Sequence, residues 1–415
     1  MFFRKLLSND HHPPIDLVIS TGLVPRFVSF LNYDNCPSLQ YEAAWVITNI
    51  ASGTKEQTAV VIQCGALPIL LRLIESPDVG VREQASWALG NIAGDNAQSR
   101  DDIINAGGVE LILKQLNKED CTSFFQKNGV WLLSNLCRTR DDQPTDFERV
   151  KICLPYMLQM LQDSQEDVVT DACWCFAFIT DYNKRNTAYI LQMGVLPSIV
   201  QLLSKSNSKV VTPALRTVGN VLAGDDEQTQ QCLNLNVVEY LGNLLASSNP
   251  LIVKEAAWCL SNITAGTVDQ VQVVINYDLI PVLVELIRSG RSDVQKEACW
   301  AVCNAFCGGN MMQIGLLVSV EDAIPAISSM LVNESGSKLI SIIIDSLDRI
   351  LVYEKFMMQN GNLQSAVITQ MLSDCGCLDN IEKLEAIDES TYEKTKDFIE
   401  RHFGFEDEIS FNDIN

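Results

Sequence analysis

Asparagine follows tryptophan by four residues at five places in this chain: Trp45/Asn49, Trp87/Asn91, Trp131/Asn135, Trp258/Asn262 and Trp300/Asn304. At two further places the pattern is broken. Trp174 is followed by Phe178, and Asn220 is preceded by Arg216. These residue types suit one chemistry well. A side-chain amide offers a donor and an acceptor, the match for the C=O and N–H of an extended peptide. An indole face packs the methylene stem of lysine or arginine, and cation–π attraction adds roughly 0.5–2 kcal/mol per contact. Acids complete the set. Asp95 lies four residues after Asn91, and Asp171, Glu255 and Glu297 each lie three residues before a tryptophan.

The element that must position them is a helix. On a helical wheel for EQASWALGNIAGD (83–95), with Trp87 at zero, Asn91 falls near ~40°, Gln84 near ~60° and Asp95 near ~80°. Ala85, Ala88, Leu89, Ile92 and Ala93 fill roughly 100–240°, so the tryptophan lies off the apolar stripe, beside the polar residues. A core tryptophan would share the arc of Leu89 and Ile92. The asparagines, taken alone, leave two readings open: a grip on a bound backbone, or a bond that stiffens the stacking of neighbouring helices.

The spacing of these pairs is the dominant feature of the sequence. The six tryptophans are separated by 42, 44, 43, 84 and 42 residues, and Arg216 stands at the middle of the double gap. A second landmark recurs in phase, as in GLVPRFVSFL at 22, GALPILLRLI at 65, GVLPSIVQLL at 194 and DLIPVLVELI at 278. It combines a small or polar break, two apolar residues, a proline suited to a first helical turn and an apolar helix. A period of 42–44 residues with three helices is the armadillo unit. One unit cannot bury its own apolar face, so the units must stack. The expected fold is all-α, an armadillo-repeat right-handed α-solenoid. Its expected parts are a remnant of a first repeat at 1–11, eight repeats over 12–355, a degenerate repeat at 356–403 and an acidic tail at 404–415.

Composition excludes several alternatives. The chain has 30 basic and 52 acidic residues, a net charge of −22. That repels nucleic acid and acidic membranes and attracts basic partners. There is no long apolar run for a membrane span and no secretory leader pattern, so a reducing compartment is expected. The 14 cysteines lack a disulfide framework. The row Cys299/Cys303/Cys307 could hold a soft ion, but no histidine or fourth ligand is near, and small buried apolar residues are the simpler reading. No cofactor or metal is expected. The three histidines lie near the ends, and GxSxG, P-loop and GxGxxG motifs are absent, which argues against an enzyme.

The segments EAAWVITNIASGTKEQT, EQASWALGNIAGD, VWLLSNLCR, VTPALRTVGN and KEAAWCLSNITAG resemble successive third helices of importin alpha (karyopherin alpha), the armadillo adaptor of nuclear import. The alpha-1/alpha-8-type branch is the nearest in pattern. The resemblance covers nearly all the chain. It implies a non-enzymatic receptor that binds lysine/arginine-rich nuclear localisation signals as extended peptides and shuttles between cytoplasm and nucleus. It implies a major site of Trp45/Asn49, Trp87/Asn91 and Trp131/Asn135. Gly53, Thr58 and Asp95 would form the pocket for a key lysine, with Gln84, Asn128, Arg138, Asp171 and Trp174 assisting. It implies a minor site of Arg216/Asn220, Trp258/Asn262 and Trp300/Asn304, with Glu255 and Glu297 supplying charge. A CAS-type export receptor would meet the C-terminal repeats. Importin beta would bind only where a basic N-terminal segment is present, and RKLLSNDHHPPID resembles the end of the family's first repeat, so neither importin beta binding nor autoinhibition is expected of these residues. NAFCGG departs from the family's more polar sequence after Asn304, which weakens that edge of the minor site. A β-catenin-like scaffold, with its basic groove for acidic partners, fits the charge poorly.

Overall fold

The structure is a computed structural model that describes residues 2–8, 13–384 and 387–404. The chain divides into two compact units, Met1–Leu202 and Leu203–Asn415. Each is a stack of armadillo repeats, and the fold class is the expected all-α armadillo-repeat solenoid. Among the described residues the only non-helical pairing is an isolated bridge between Arg140 and Gln143.

The first unit carries four long third helices: α1 (Pro37–Ala51), α2 (Val79–Asp95), α3 (Ser123–Cys137) and α4 (Glu166–Tyr182). The second carries α5 (Ser208–Leu222), α6 (Pro250–Thr264), α7 (Ser292–Gly308) and α8 (Ser337–Gln359). Within each unit every long helix packs on the next. Side-chain caps start many of them. Asp78 accepts from the Val81 N–H, Thr122 from Phe125, and Asn249 from Leu251. The apolar stripe read from the sequence is the core: Ala85, Ala88, Leu89 and Ile92 have no exposure at all.

The recurring break before the second helix has a clear backbone cause. Gly22, Gly65, Gly107 and Gly194 all have φ between 69° and 79°, and Asn236, Asp278 and Asp322 take the same left-handed conformation. Glycine adopts it freely, and Asn and Asp tolerate it best among the rest. The copy at Ile152 differs, because a 3₁₀ turn, Lys151–Cys153, leads directly into the helix there.

The repeat boundaries differ from expectation at the C-terminal end. The boundary expected at 355/356 falls inside α8, since no breaker interrupts SLDRILVYEKFMMQ before Asn360 and Gly361. Three shorter helices follow, Val367–Asp374, Cys377–Glu382 and Glu389–Phe403. The expected N-terminal remnant is partly described, as the helix Phe2–Leu7 packed on α1. Apart from Gly404, the expected acidic tail lies outside the described residues.

Candidate functional site

All six tryptophans are half-buried, and none is in the core. In the first unit, Trp45 and Trp87 are held edge-on by Tyr41 (5.5 Å) and Phe124 (6.1 Å). Trp131 has a different support. A Cβ added at Gly90 would lie 2.2 Å from its ring, so only glycine lets the indole rest on the preceding helix. Gly219 supports Trp258 in the second unit in the same way, at 2.0 Å. Sequence reasoning missed both glycines. The signal was present, because the residue before each ladder asparagine is always small: Thr48, Gly90, Ser134, Gly219, Ser261 or Cys303.

The asparagines make the bond between neighbouring helices. The amides of Asn91 and Asn135 donate to the carbonyls of Thr48 (3.0 Å) and Gly90 (3.1 Å), one repeat back. Asn262 and Asn304 do the same to Gly219 (3.3 Å) and Ser261 (3.0 Å). The stiffening role is therefore real. It uses one N–H of each amide and leaves the second N–H and the oxygen. The two roles are compatible, and the inter-repeat bond fixes the amide's orientation in advance. Asn49 reaches the Ser8 hydroxyl at 3.4 Å instead. Asn220 is half-buried on α5, directly after Gly219.

The supporting residues sort by burial. Thr58 is buried, and its hydroxyl donates to the Ala51 carbonyl (3.2 Å). Gln84 is also buried and donates to the Thr48 hydroxyl (2.7 Å). Both are buried in the free chain, Thr58 serving a backbone carbonyl and Gln84 a side-chain hydroxyl. Gly53 is exposed just beyond the end of α1. Asp95, half-buried at the end of α2, accepts from the Asn96 amide at 2.6 Å.

Asn128 and Trp131, with Trp87, Lys127, Asp167, Thr170 and Asp171, line an open cavity of about 370 Å³. Burial, reinforced by the neighbouring Asp167 charge, pushes the Asp171 carboxyl up to about 7. Lys127 only partly offsets this, because it forms an ion pair with Asp167. Asp171 is thus a half-buried acid in a cavity whose lysine is paired with Asp167 and whose lining includes the Trp87 and Trp131 indoles.

The fourth rung is closed by different chemistry. Phe178 replaces asparagine and stacks on Trp174 at 5.3 Å, and the Arg138 guanidinium lies 5.1 Å over its ring. The carbonyl of Arg138 accepts from the fully buried Arg100. Gly94 lies near both Asn135 and Arg140, another contact the sequence did not announce.

In the second unit, Arg216 lies 5.4 Å over Trp258 and forms an ion pair with Glu255 at 2.7 Å. Burial raises the Glu297 carboxyl, with Glu255 adding repulsion and Lys254 opposing both. Trp300 and Asn304 follow on α7. The first unit has a parallel. Arg4 of the N-terminal helix lies 4.8 Å over Trp45 and pairs with Glu42 at 3.1 Å. In both units, therefore, an indole and an acid already hold an arginine.

The Armadillo/beta-catenin-like repeat family matches residues 11–52, 54–94, 183–223, 225–265 and 267–306. Importin subunit alpha-4 of Arabidopsis thaliana is 51% identical over 193 residues, 46% of this chain and 35% of that protein. Importin subunit alpha-B of Dictyostelium discoideum is 53% identical over 180 residues, 43% of this chain and 34% of that one. Over nearly half its length, this armadillo-repeat solenoid is similar to importin alpha subunits. Importin subunit alpha-1b of Oryza sativa subsp. japonica is 41% identical over 193 residues. The chain spans about a third of the length of the relatives it matches (36% of this one). A crystal structure of an engineered protein shares the fold, with a TM-score of 0.82, 25% identity, and coverage of 97% of this chain and 93% of that one. The repeat family leaves residues 95–182 unmatched, the stretch that holds Trp131, Asp171 and Phe178.

Proposed function

We propose that this chain is an importin alpha-type nuclear import adaptor that binds lysine/arginine-rich localisation signals as extended peptides on its Trp/Asn ladders. One observation carries the reading. Twice, at Trp45 with Glu42 and at Trp258 with Glu255, an indole and a carboxylate hold an arginine of the chain itself. The other indoles offer the same chemistry to an external cation.

At the major site, peptide backbone groups pair with the remaining amide atoms of Asn91 and Asn135. Basic stems pack against Trp87 and Trp131, and their charges meet Asp171 and Asp95. Trp45/Asn49 and Trp174 extend the row, and Gly53 allows close approach beside Asp95. Thr58 and Gln84 act from below by holding the backbone, Asn128 lines the cavity, and Arg138 closes the row at Phe178. At the minor site Asn220, Asn262 and Asn304 supply the amides, Trp258 and Trp300 the faces, and Glu255 and Glu297 the charge, with Arg216 as a resident competitor. The role is that of a binding adaptor without catalysis, moving between cytoplasm and nucleus. An importin beta-type carrier engages only through a basic N-terminal segment, and a CAS-type export receptor engages the C-terminal helices.

The test is calorimetric titration with a PKKKRKV-like peptide at two salt concentrations. The expected result is saturable binding that weakens with salt and that a peptide with its lysines replaced by glutamine fails to reproduce. Equal affinity for both peptides would overturn the reading.

A further inference from the structure

Three cysteines from three separate elements meet inside the first unit. Cys137 closes α3, Cys153 ends the 3₁₀ turn Lys151–Cys153, and Cys175 lies within α4. Their sulfurs all lie within 4.8 Å of one another, with Cys137 and Cys153 at 3.8 Å. The three residues are 1%, 0% and 0% exposed. The sequence row at Cys299, Cys303 and Cys307 does not converge in this way. Cys299 and Cys303 are 3.8 Å apart, but Cys307 turns to the Ser346 hydroxyl at 3.4 Å.

The geometry suits a three-coordinate centre. Bonds of about 2.3 Å, the length thiolates make to zinc, place three sulfurs about 4 Å apart around a central atom. Among the described residues no fourth His, Cys, Asp or Glu joins the group, so a tetrahedral zinc site is incomplete. Charge narrows the choice further. Three thiols lose three protons on binding, and a monovalent or divalent ion would leave net negative charge in a fully buried site, at high cost in desolvation. A trivalent centre leaves none.

We propose that Cys137, Cys153 and Cys175 form a binding site for a trivalent thiophilic metalloid, with arsenite as the probe. The reaction balances without electron transfer. Three S–H and three As–OH bonds break, three As–S bonds form, and three waters leave with the thiol protons. Each bond forms by attack of a cysteine sulfur as its thiolate, the nucleophilic form. The closed site makes uptake slow, limited by local opening. Once bound, the centre ties the end of α3 to α4, next in the chain to Arg138 and Trp174. This inference is independent of the peptide-binding reading.

The test uses the full reduced chain, equilibrated with arsenite under anaerobic conditions and dialysed. One arsenic per folded chain, three As–S bonds in its X-ray absorption spectrum and a melting temperature raised by several degrees are expected. Cys153→Ser should lose the arsenic, and Cys303→Ser, equally buried, should keep it. The wild-type spectrum decides even if Cys153→Ser folds poorly. No arsenic in the folded chain, fewer than three sulfurs around it, or full retention in Cys153→Ser would overturn the assignment.

Discussion

In the first unit the ladder's acid, Asp171, is half-buried beside Asp167 and lines a cavity of about 370 Å³ whose lysine, Lys127, is paired with Asp167. In the second unit the corresponding acid, Glu255, already holds Arg216, which covers the Trp258 ring. The frames are alike: both units tie successive repeats with Asn-to-carbonyl bonds, and both seat an indole on a glycine. Asp171 and Glu255 therefore differ in charge compensation, although Arg4 and Glu42 repeat the paired arrangement at Trp45 and burial also raises Glu297 in the second unit. A half-buried acid whose nearest lysine is paired elsewhere gains most when a further cation arrives, and a paired acid gains only what exchanging one cation for another leaves. The first unit should bind a basic peptide more tightly than the second.

The largest effect should come from removing one complete rung. Trp87→Ala with Asn91→Ala removes an indole anchor and a pre-oriented amide, and basic-peptide affinity should fall about 100-fold or more by calorimetry. The equivalent pair in the second unit, Trp258→Ala with Asn262→Ala, should cost clearly less. Equal losses would break the comparison.

Next comes the glycine support. Gly90→Ala places a methyl 2.2 Å from the Trp131 ring, so the indole must leave its seat. Overpacking of this kind costs about 1–3 kcal/mol of stability, and peptide affinity should drop about 10-fold. A chemical denaturation curve with the same peptide titration checks both.

Asp171 should report through pH. Its carboxyl, raised from 3.8 to about 7, is largely protonated in the free fold at pH 6 and ionised at pH 8. A bound lysine favours the ionised form, so binding releases a proton, and affinity should rise from pH 6 to pH 8 by up to about 10-fold. Asp171→Asn should flatten that slope. The folded chain also holds this proton where the unfolded chain has lost it, so Asp171 lowers stability as pH climbs from about 4 through about 7. The asparagine variant should consequently gain on the order of 1 kcal/mol at pH 8, binding less while melting higher.

The smallest effect should be at Arg216. Arg216→Gln frees Glu255 and the Trp258 face, and second-unit affinity for a basic peptide should rise about 3-fold. A fall would mean that the arginine positions the site rather than competing for it.

Much of this was legible in the sequence because the repeat writes the same helix many times. The off-stripe arc of Trp87, Asn91 and Asp95 required only the helical period, and the half-burial of every tryptophan agrees with it. What the sequence left hidden lies between repeats. Gly90 under Trp131, and Arg138 over Phe178, join residues about 40 positions apart, so they depend on how one helix settles on the next. The burial of Thr58 and Gln84 is of the same kind: each side chain serves a carbonyl or hydroxyl near the end of α1. The cysteine triad drew residues from three elements at irregular spacing, whereas the regular row at Cys299 pointed elsewhere.

If the ladders hold an extended basic peptide by its backbone and its stems together, a co-crystal structure of the chain with a PKKKRKV-like peptide should show it. The peptide should lie extended in the first unit, its backbone bonded to the amides of Asn91 and Asn135, with a lysine stem between Trp87 and Trp131 and its charge toward Asp171. A peptide bound in helical form, or bound away from these rungs, would contradict it.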